Sequence, residues 1–325
     1  YFGWVYCFQN FLAGPAIDLR EYLDTSSGRS YGKVGAEIPA GRWWKVVSCF
    51  FVSIVFLALN VVGTAKFPIE NLHDPELVNA STWLERLPVA WVTLFFTRTK
   101  YYFAWLMVEG SAVLSGFGYT PKNRNGAWNG ANNVDIYNFE TAENIQEGTR
   151  AWNKFTQAWL ERYAYRRTGN SLVWTYFTSA FWHGFYPGYY LFFMSVPLVT
   201  NLGRELRRRV RGRFISAGIH KLYHYVGIVL TSLAMNYLAA SFQALAFDYA
   251  MFSWGSWFFA GHIVMVVGYI LVHLIPPYTA EEPKKAGGAA KKQAPPAAAD
   301  DGAAGKGGKS EGSARRRGRG RKASS

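Results

Sequence analysis

Three stretches of the chain are apolar for long enough to meet lipid. "VVSCFFVSIVFLALNVVGTA" covers 46–65 without a charge, "LYHYVGIVLTSLAMNYLAASFQALAF" covers 222–247, and "YAMFSWGSWFFAGHIVMVVGYILVHLI" covers 249–275. A helical span needs about 20 mostly apolar residues. A core helix of a soluble protein mimics one such run, but three together predict an all-α, polytopic membrane protein. Two further apolar segments are interrupted. The first, 88–118, places Arg98, Lys100 and Glu109 at membrane depth. Ionisable groups there normally face a cavity or a partner. The segment therefore predicts one broken helix or two half-helices, with Glu109 as the partner of a buried base. The second, 172–202, contains Gly184, Pro187 and Gly188 in quick succession. Proline ends or bends a helix and glycine lets backbones approach. His183 thus falls at a helix discontinuity, the kind of place where cavities open in membrane proteins.

The segments between are polar or amphipathic. In "TRAWNKFTQAWLERYAYRR", 149–167, Trp152, Phe155 and Trp159 recur at helical spacing and Tyr163 follows. The segment is too charged to span, so it predicts an amphipathic helix lying on the membrane or on the bundle. The Asn/Gly-rich stretch 119–145 predicts a loop. "GRWWKV", 41–46, predicts interfacial anchoring ahead of the first long run. The opening "YFGWVYCFQNFLAGP" does not fit a signal peptide. It reads as the end of a truncated span, and the chain is expected to be the C-terminal portion of a longer protein.

Charge divides the chain further. The formal charge is +14 over 325 residues. Residues 281–325 carry twelve Lys/Arg against five Asp/Glu, a balance of +7, and no aromatic residue. Such composition does not repay its ordering entropy, so 281–325 is expected to be a disordered basic tail. The domain reading is 1–280 as the membrane portion and 281–325 as the tail. A second basic cluster, 203–221, precedes the hairpin of the last two runs. Both ends of that hairpin lie on one side, and the positive-inside rule makes that side cytoplasmic. The tail is read as solvated, so no nucleic-acid partner is expected. Cys7 and Cys49 are far apart in apolar sequence and suggest neither a disulfide framework nor a cysteine zinc site.

Chemistry-bearing motifs are few. The chain has no HExxH, EF-hand, Walker or GxGxxG pattern. His220 and His224 share a helical face beside the basic cluster, which suits an interface better than a metal. "TSAFWHGFYPGYYLFF", 178–193, holds His183 among aromatics. Neutral imidazole accepts a proton near pH 7, and a base placed against a hydroxyl is worth roughly 10²–10⁴ in rate. From the residues alone, His183 is a packed core residue, a metal ligand or a base.

Taken together, "WNKFTQAWLERYAYRR" and "TSAFWHGFYPGYYLFF" resemble the signature of the membrane-bound O-acyltransferases. The likeness is strongest to the lysophospholipid acyltransferase branch of fungal broad-specificity type. "YFGWVYCFQNFLAGPAIDLREYL" and "YYFAWLMVEGSAVLSGFGY" resemble that branch's other segments in the same order, over about residues 1–275. The resemblance implies a polytopic transmembrane helix bundle around a central tunnel, with amphipathic or re-entrant helices. It implies transfer of a long-chain acyl group from acyl-CoA, a co-substrate, to a lysophospholipid hydroxyl in the endoplasmic reticulum membrane. No bound cofactor or metal is implied. The family's histidine matches His183 and its asparagine matches Asn153, with Trp152, Thr156 and Trp159 around it. Arg166, Arg167 and Arg204 are candidates for the CoA phosphates, and Glu109 and Tyr189 for further polar contacts. Rival readings are a sterol, diacylglycerol or protein acceptor, or a transporter or scaffold without catalysis.

Overall fold

The computed structural model describes residues 1–279 except 12, 15 and 121–127, with backbone only at 10 and 11. The tail 281–325 and part of the polar loop lie outside the described residues. Among the described residues all regular structure is helical.

The first long run forms α1, Arg42–Lys66, with Trp43 and Trp44 exposed at its start. It packs antiparallel along α2, Trp83–Leu114. Lys45 meets Glu109, Cys49 meets Gly110, and Asn60 Nδ2 donates to Phe96 O at 2.8 Å. A capping box between Thr82 and Glu85 starts α2. The predicted break near Arg98 and Lys100 does not occur, and α2 runs unbroken for 32 residues. The reason is that each charge finds a partner. Arg98 pairs with Glu140, the Lys100 ammonium lies 5.1 Å over the Tyr101 ring, and Glu109 pairs with Lys45 at 2.6 Å. The Glu109 partnership is the one the sequence suggested.

Three short helices follow: α3, Ile136–Glu140; α4, Ile145–Ala151; and α5, Lys154–Leu160. The single amphipathic helix predicted over 149–167 is thus divided at Trp152 and Asn153, and a π-helical turn at Glu161–Tyr165 continues α5. Asn153 adopts a left-handed conformation, φ 45°, which ends one helix and starts the next.

The discontinuity predicted after His183 is present. Helix α6, Leu172–His183, stops at Gly184, φ 124°, and α7, Pro187–Leu206, starts on Pro187. Helix α8, His220–Ala244, covers most of the second long run. Gly188 N donates to Leu245 O at 2.8 Å, and a Cβ at Gly188 would lie 2.2 Å from Ser241 O. The start of α7 therefore docks on the end of α8 by backbone contact. The third long run is not straight. It forms α9, Phe247–Gly255, and α10, Ala260–His273, bent by 68°. Phe258 and Phe259 both take positive φ in the bend. Arg86 holds it, donating to Ser256 O at 2.9 Å and lying over the Trp257 ring. By length and composition α1 and α8 can each cross a membrane, and the bent pair makes a third span if counted as one. The protein is an all-α, polytopic membrane helix bundle. One core cluster, Ile145, Val196, Val199, Leu238, Trp254 and Met265, joins α4, α7, α8, α9 and α10.

Candidate functional site

A cavity of about 250 Å³ opens among α2, the short helices α3–α5, α6, α7 and α8. His183, Asn153, Trp152 and Thr156 line it together, so two segments thirty residues apart in sequence share one site. Aromatic and aliphatic side chains such as Leu94, Trp105, Phe193 and Val196 form most of its wall.

His183 is the last residue of α6. The residue is exposed as a whole, which speaks against a fully packed core histidine. Phe193 and Phe242 flank it, with ring centroids 4.8 and 5.4 Å away, and Tyr189 stands edge-on at 5.7 Å. Nδ1 lies 2.6 Å from Ser179 O, one helical turn back. A carbonyl only accepts, so this contact puts the proton on Nδ1 and leaves the Nε2 lone pair without a partner among the described residues. The metal-ligand reading gains no support. Among the described residues no group of three His, Cys, Asp or Glu is placed to hold a metal, and His224 instead faces Glu143 at 3.0 Å.

Asn153 is held by a neighbour that sequence reading missed. Asn133 is 3% exposed and lies on the segment before α3. The N–H of Phe155 donates to Asn133 Oδ1 at 3.1 Å, and Lys154 N donates to Asn133 O at 2.9 Å. Because a backbone N–H only donates, the Asn133 atom facing Phe155 is oxygen. Its other amide atom is therefore nitrogen, and Nδ2 donates to Asn153 Oδ1 at 3.2 Å. This leaves the Asn153 Nδ2 hydrogens without a partner among the described residues and available to the cavity. Asn132, the residue before Asn133, receives a hydrogen bond from Lys154 Nζ and donates to Glu109 Oε2 at 2.9 Å. Burial pushes the Lys154 ammonium below its ordinary range. These bonds anchor the 132–133 segment between α2 and α5.

The remaining sequence candidates fall elsewhere. Trp152 packs against Trp105 at 4.8 Å and Phe139 at 4.6 Å inside the cavity. Trp159 lies outside it, against Trp182 and Tyr163. Glu109 is occupied by Lys45 and Asn132 away from the cavity, and Tyr189 touches His183 without lining it. Arg166 is exposed and paired with Glu161, and Arg167 is exposed over the Tyr163 ring. Arg204 lines a second recess of about 270 Å³ with Arg207, Arg208 and Thr200. Sequence reading also missed Glu140 and Asn236. Arg98 was visible as a charge at membrane depth, but its partners stand 42 and 138 residues further on.

Residues 1–240 match the membrane-bound O-acyltransferase family. The chain is 29% identical over 294 residues to a lysophospholipid acyltransferase of Schizosaccharomyces pombe, covering 82% of this chain and 56% of that protein. It is 33% identical over 245 residues to a lysophospholipid acyltransferase of Saccharomyces cerevisiae, covering 70% of this chain and 39% of that one. It is 30% identical over 284 residues to human membrane-bound glycerophospholipid O-acyltransferase 2, covering 83% of this chain and 54% of the relative. The chain spans about half the length of the curated relatives it matches. With a family match across most of its helical portion, the chain belongs to the membrane-bound O-acyltransferase family.

Proposed function

We propose that the protein transfers a long-chain acyl group from acyl-CoA to the free hydroxyl of a lysophospholipid, with His183 as general base. The observation that carries the reading is the pairing, on one largely apolar cavity, of a free imidazole Nε2 with the uncommitted amide hydrogens of Asn153. His183 Nε2 accepts the hydroxyl proton as the oxygen attacks the thioester carbonyl. Negative charge develops on the carbonyl oxygen, and Asn153 Nδ2 donates to it. The C–O bond forms, the C–S bond breaks, and the thiolate leaves with the proton from the imidazolium. No acyl-enzyme is needed, because the thioester is already activated. The aromatic walls suit an acyl chain, and the Arg204 recess suits the phosphates of CoA. The names of the three relatives favour a lysophospholipid or glycerophospholipid over a sterol or protein acceptor. Residence in the endoplasmic reticulum membrane with a cytoplasmic tail belongs to the same proposal.

The test is oleoyl transfer to lysophospholipid by membranes holding the full-length protein or His183→Ala. The variant should accumulate normally and lose at least about 10²-fold in rate, the lower range for a missing general base. Unchanged turnover would remove His183 from the reaction.

A further inference from the structure

Among the described residues that line the cavity, only two side chains carry a permanent charge: Arg98 and Glu140. They form a two-pronged pair. Arg98 Nε donates to Glu140 Oε1 and Nη2 to Oε2, each at 2.7 Å. Arg98 Nη1 donates to Asn236 Oδ1 at 2.8 Å, and Tyr102 OH donates to Glu140 Oε1 at 2.6 Å. Asn236 is itself oriented, since its Nδ2 donates to Ser232 O. A guanidinium has five N–H groups, and three are used here. One N–H remains on each of Nη1 and Nη2. A carboxylate has about four acceptor sites, and Glu140 uses three. Neither group is fully buried: the Arg98 side chain is 12% exposed and that of Glu140 is 23% exposed.

The position of this pair along the bundle is fixed by α8. Asn236 on that helix holds Arg98, and Phe242 on the same helix packs on His183. Six residues of α-helix rise about 9 Å. The pair thus sits one to two turns along the cavity from the base. In a 1-acyl lysophospholipid with a choline or ethanolamine headgroup, one further glycerol carbon, the phosphodiester and a two-carbon arm separate the hydroxyl-bearing carbon from the headgroup nitrogen, a reach of the same order. An acceptor whose hydroxyl meets His183 can therefore lay its headgroup on Arg98 and Glu140.

We infer that the Arg98–Glu140 pair is the headgroup subsite, and that it selects zwitterionic lysophospholipids over anionic ones. This rests on the acyl-transfer reading above and names its acceptor class. The spare N–H groups of Arg98 take the phosphate oxygens, and the spare Glu140 acceptor takes the headgroup ammonium. A net-neutral pair complements a net-neutral headgroup. An inositol, glycerol or serine headgroup carries net negative charge, which the pair does not balance.

The experiment compares oleoyl transfer to lysophosphatidylcholine, lysophosphatidylethanolamine, lysophosphatidylglycerol and lysophosphatidylinositol in membranes holding the full-length protein. The readout is the ratio of zwitterionic to anionic product. The wild type should favour the zwitterionic acceptors. Glu140→Gln keeps the shape of the pair and makes it net positive, so the ratio should fall, by about tenfold for one lost charge contact. Asn236→Asp makes it net negative, so the ratio should rise. A ratio is independent of how much folded protein each variant yields. If Glu140→Gln fails to accumulate, the wild-type ratio and Asn236→Asp still decide. A wild-type preference for anionic acceptors, or a ratio unmoved in the variants, overturns the subsite while leaving acyl transfer intact. Absence of transfer to every lysophospholipid by the wild type overturns the reaction itself, and the subsite with it.

Discussion

Asn153 lines the cavity, and its amide oxygen is held by Asn133, which is not among the cavity's lining residues. Asn133 accepts from Phe155 N with one amide atom and donates to Asn153 with the other. Asn133→Asp keeps the acceptor and replaces the donor by an oxygen. The Asn153 amide should then turn, presenting its oxygen to the developing negative charge. Removing one oxyanion donor costs about 10²–10³ in kcat elsewhere, and a loss in that range is expected here, with KM for acyl-CoA little changed. The check is a double-mutant comparison. Asn133→Asp combined with Asn153→Ala should be no slower than Asn153→Ala alone, because both act through the same amide. An additive loss would make Asn133 a structural residue only. His183 and Asn153 were legible in the sequence through motifs that stay local. Asn133 was not, since nothing near "NGANNVD" indicates which later backbone N–H will meet it.

At the scale of elements, the helix break after His183 was readable because glycine and proline act on their own chain. Gly184 supplies φ 124° and Pro187 starts the next helix. The unbroken α2 was not readable, because charges at membrane depth break a helix only when no partner reaches them. Lys45 and Glu140, which serve Glu109 and Arg98, lie outside α2's own sequence. The bend between α9 and α10 was hidden for a similar reason. Its two phenylalanines take a conformation that bulky residues disfavour, and the contact holding them comes from Arg86, 170 residues earlier. The α7–α8 junction makes a direct test. Gly188→Ala would put a methyl against Ser241 O, and the two helices must separate. Overpacking of this kind typically costs about 1–3 kcal/mol. Detergent-solubilised protein should melt several degrees lower, and transfer should fall because Phe193 and Phe242 flank His183 from these two helices. An unchanged melting temperature would mean that the junction relaxes freely.

For the molecule as a whole, the question is which part of its positive charge works. The +14 divides between the tail and the remainder, yet charge in bulk and charge at a site act differently. Lysines and arginines that stand in open solvent attract any anion weakly, and salt screens them over about 8–10 Å. Arg204, by contrast, lines a recess and forms no ion pair among the described residues. Its neighbours Arg207 and Arg208 are engaged by Glu147 and Glu205. Arg204 is therefore the arginine of that recess with its full charge to offer a phosphate. Among the described residues, the cavity that holds His183 is lined from within 94–243. Two variants separate the contributions. Deleting 281–325 should leave both kcat and KM for oleoyl-CoA near their starting values. Arg204→Gln should raise KM for oleoyl-CoA by about tenfold, the equivalent of one charge-assisted hydrogen bond to phosphate, and leave kcat unchanged. The effect should shrink with an acyl donor that lacks the nucleotide phosphates. If the deletion raises KM and Arg204→Gln does not, the CoA-attracting charge resides in the tail and the recess has no part in binding.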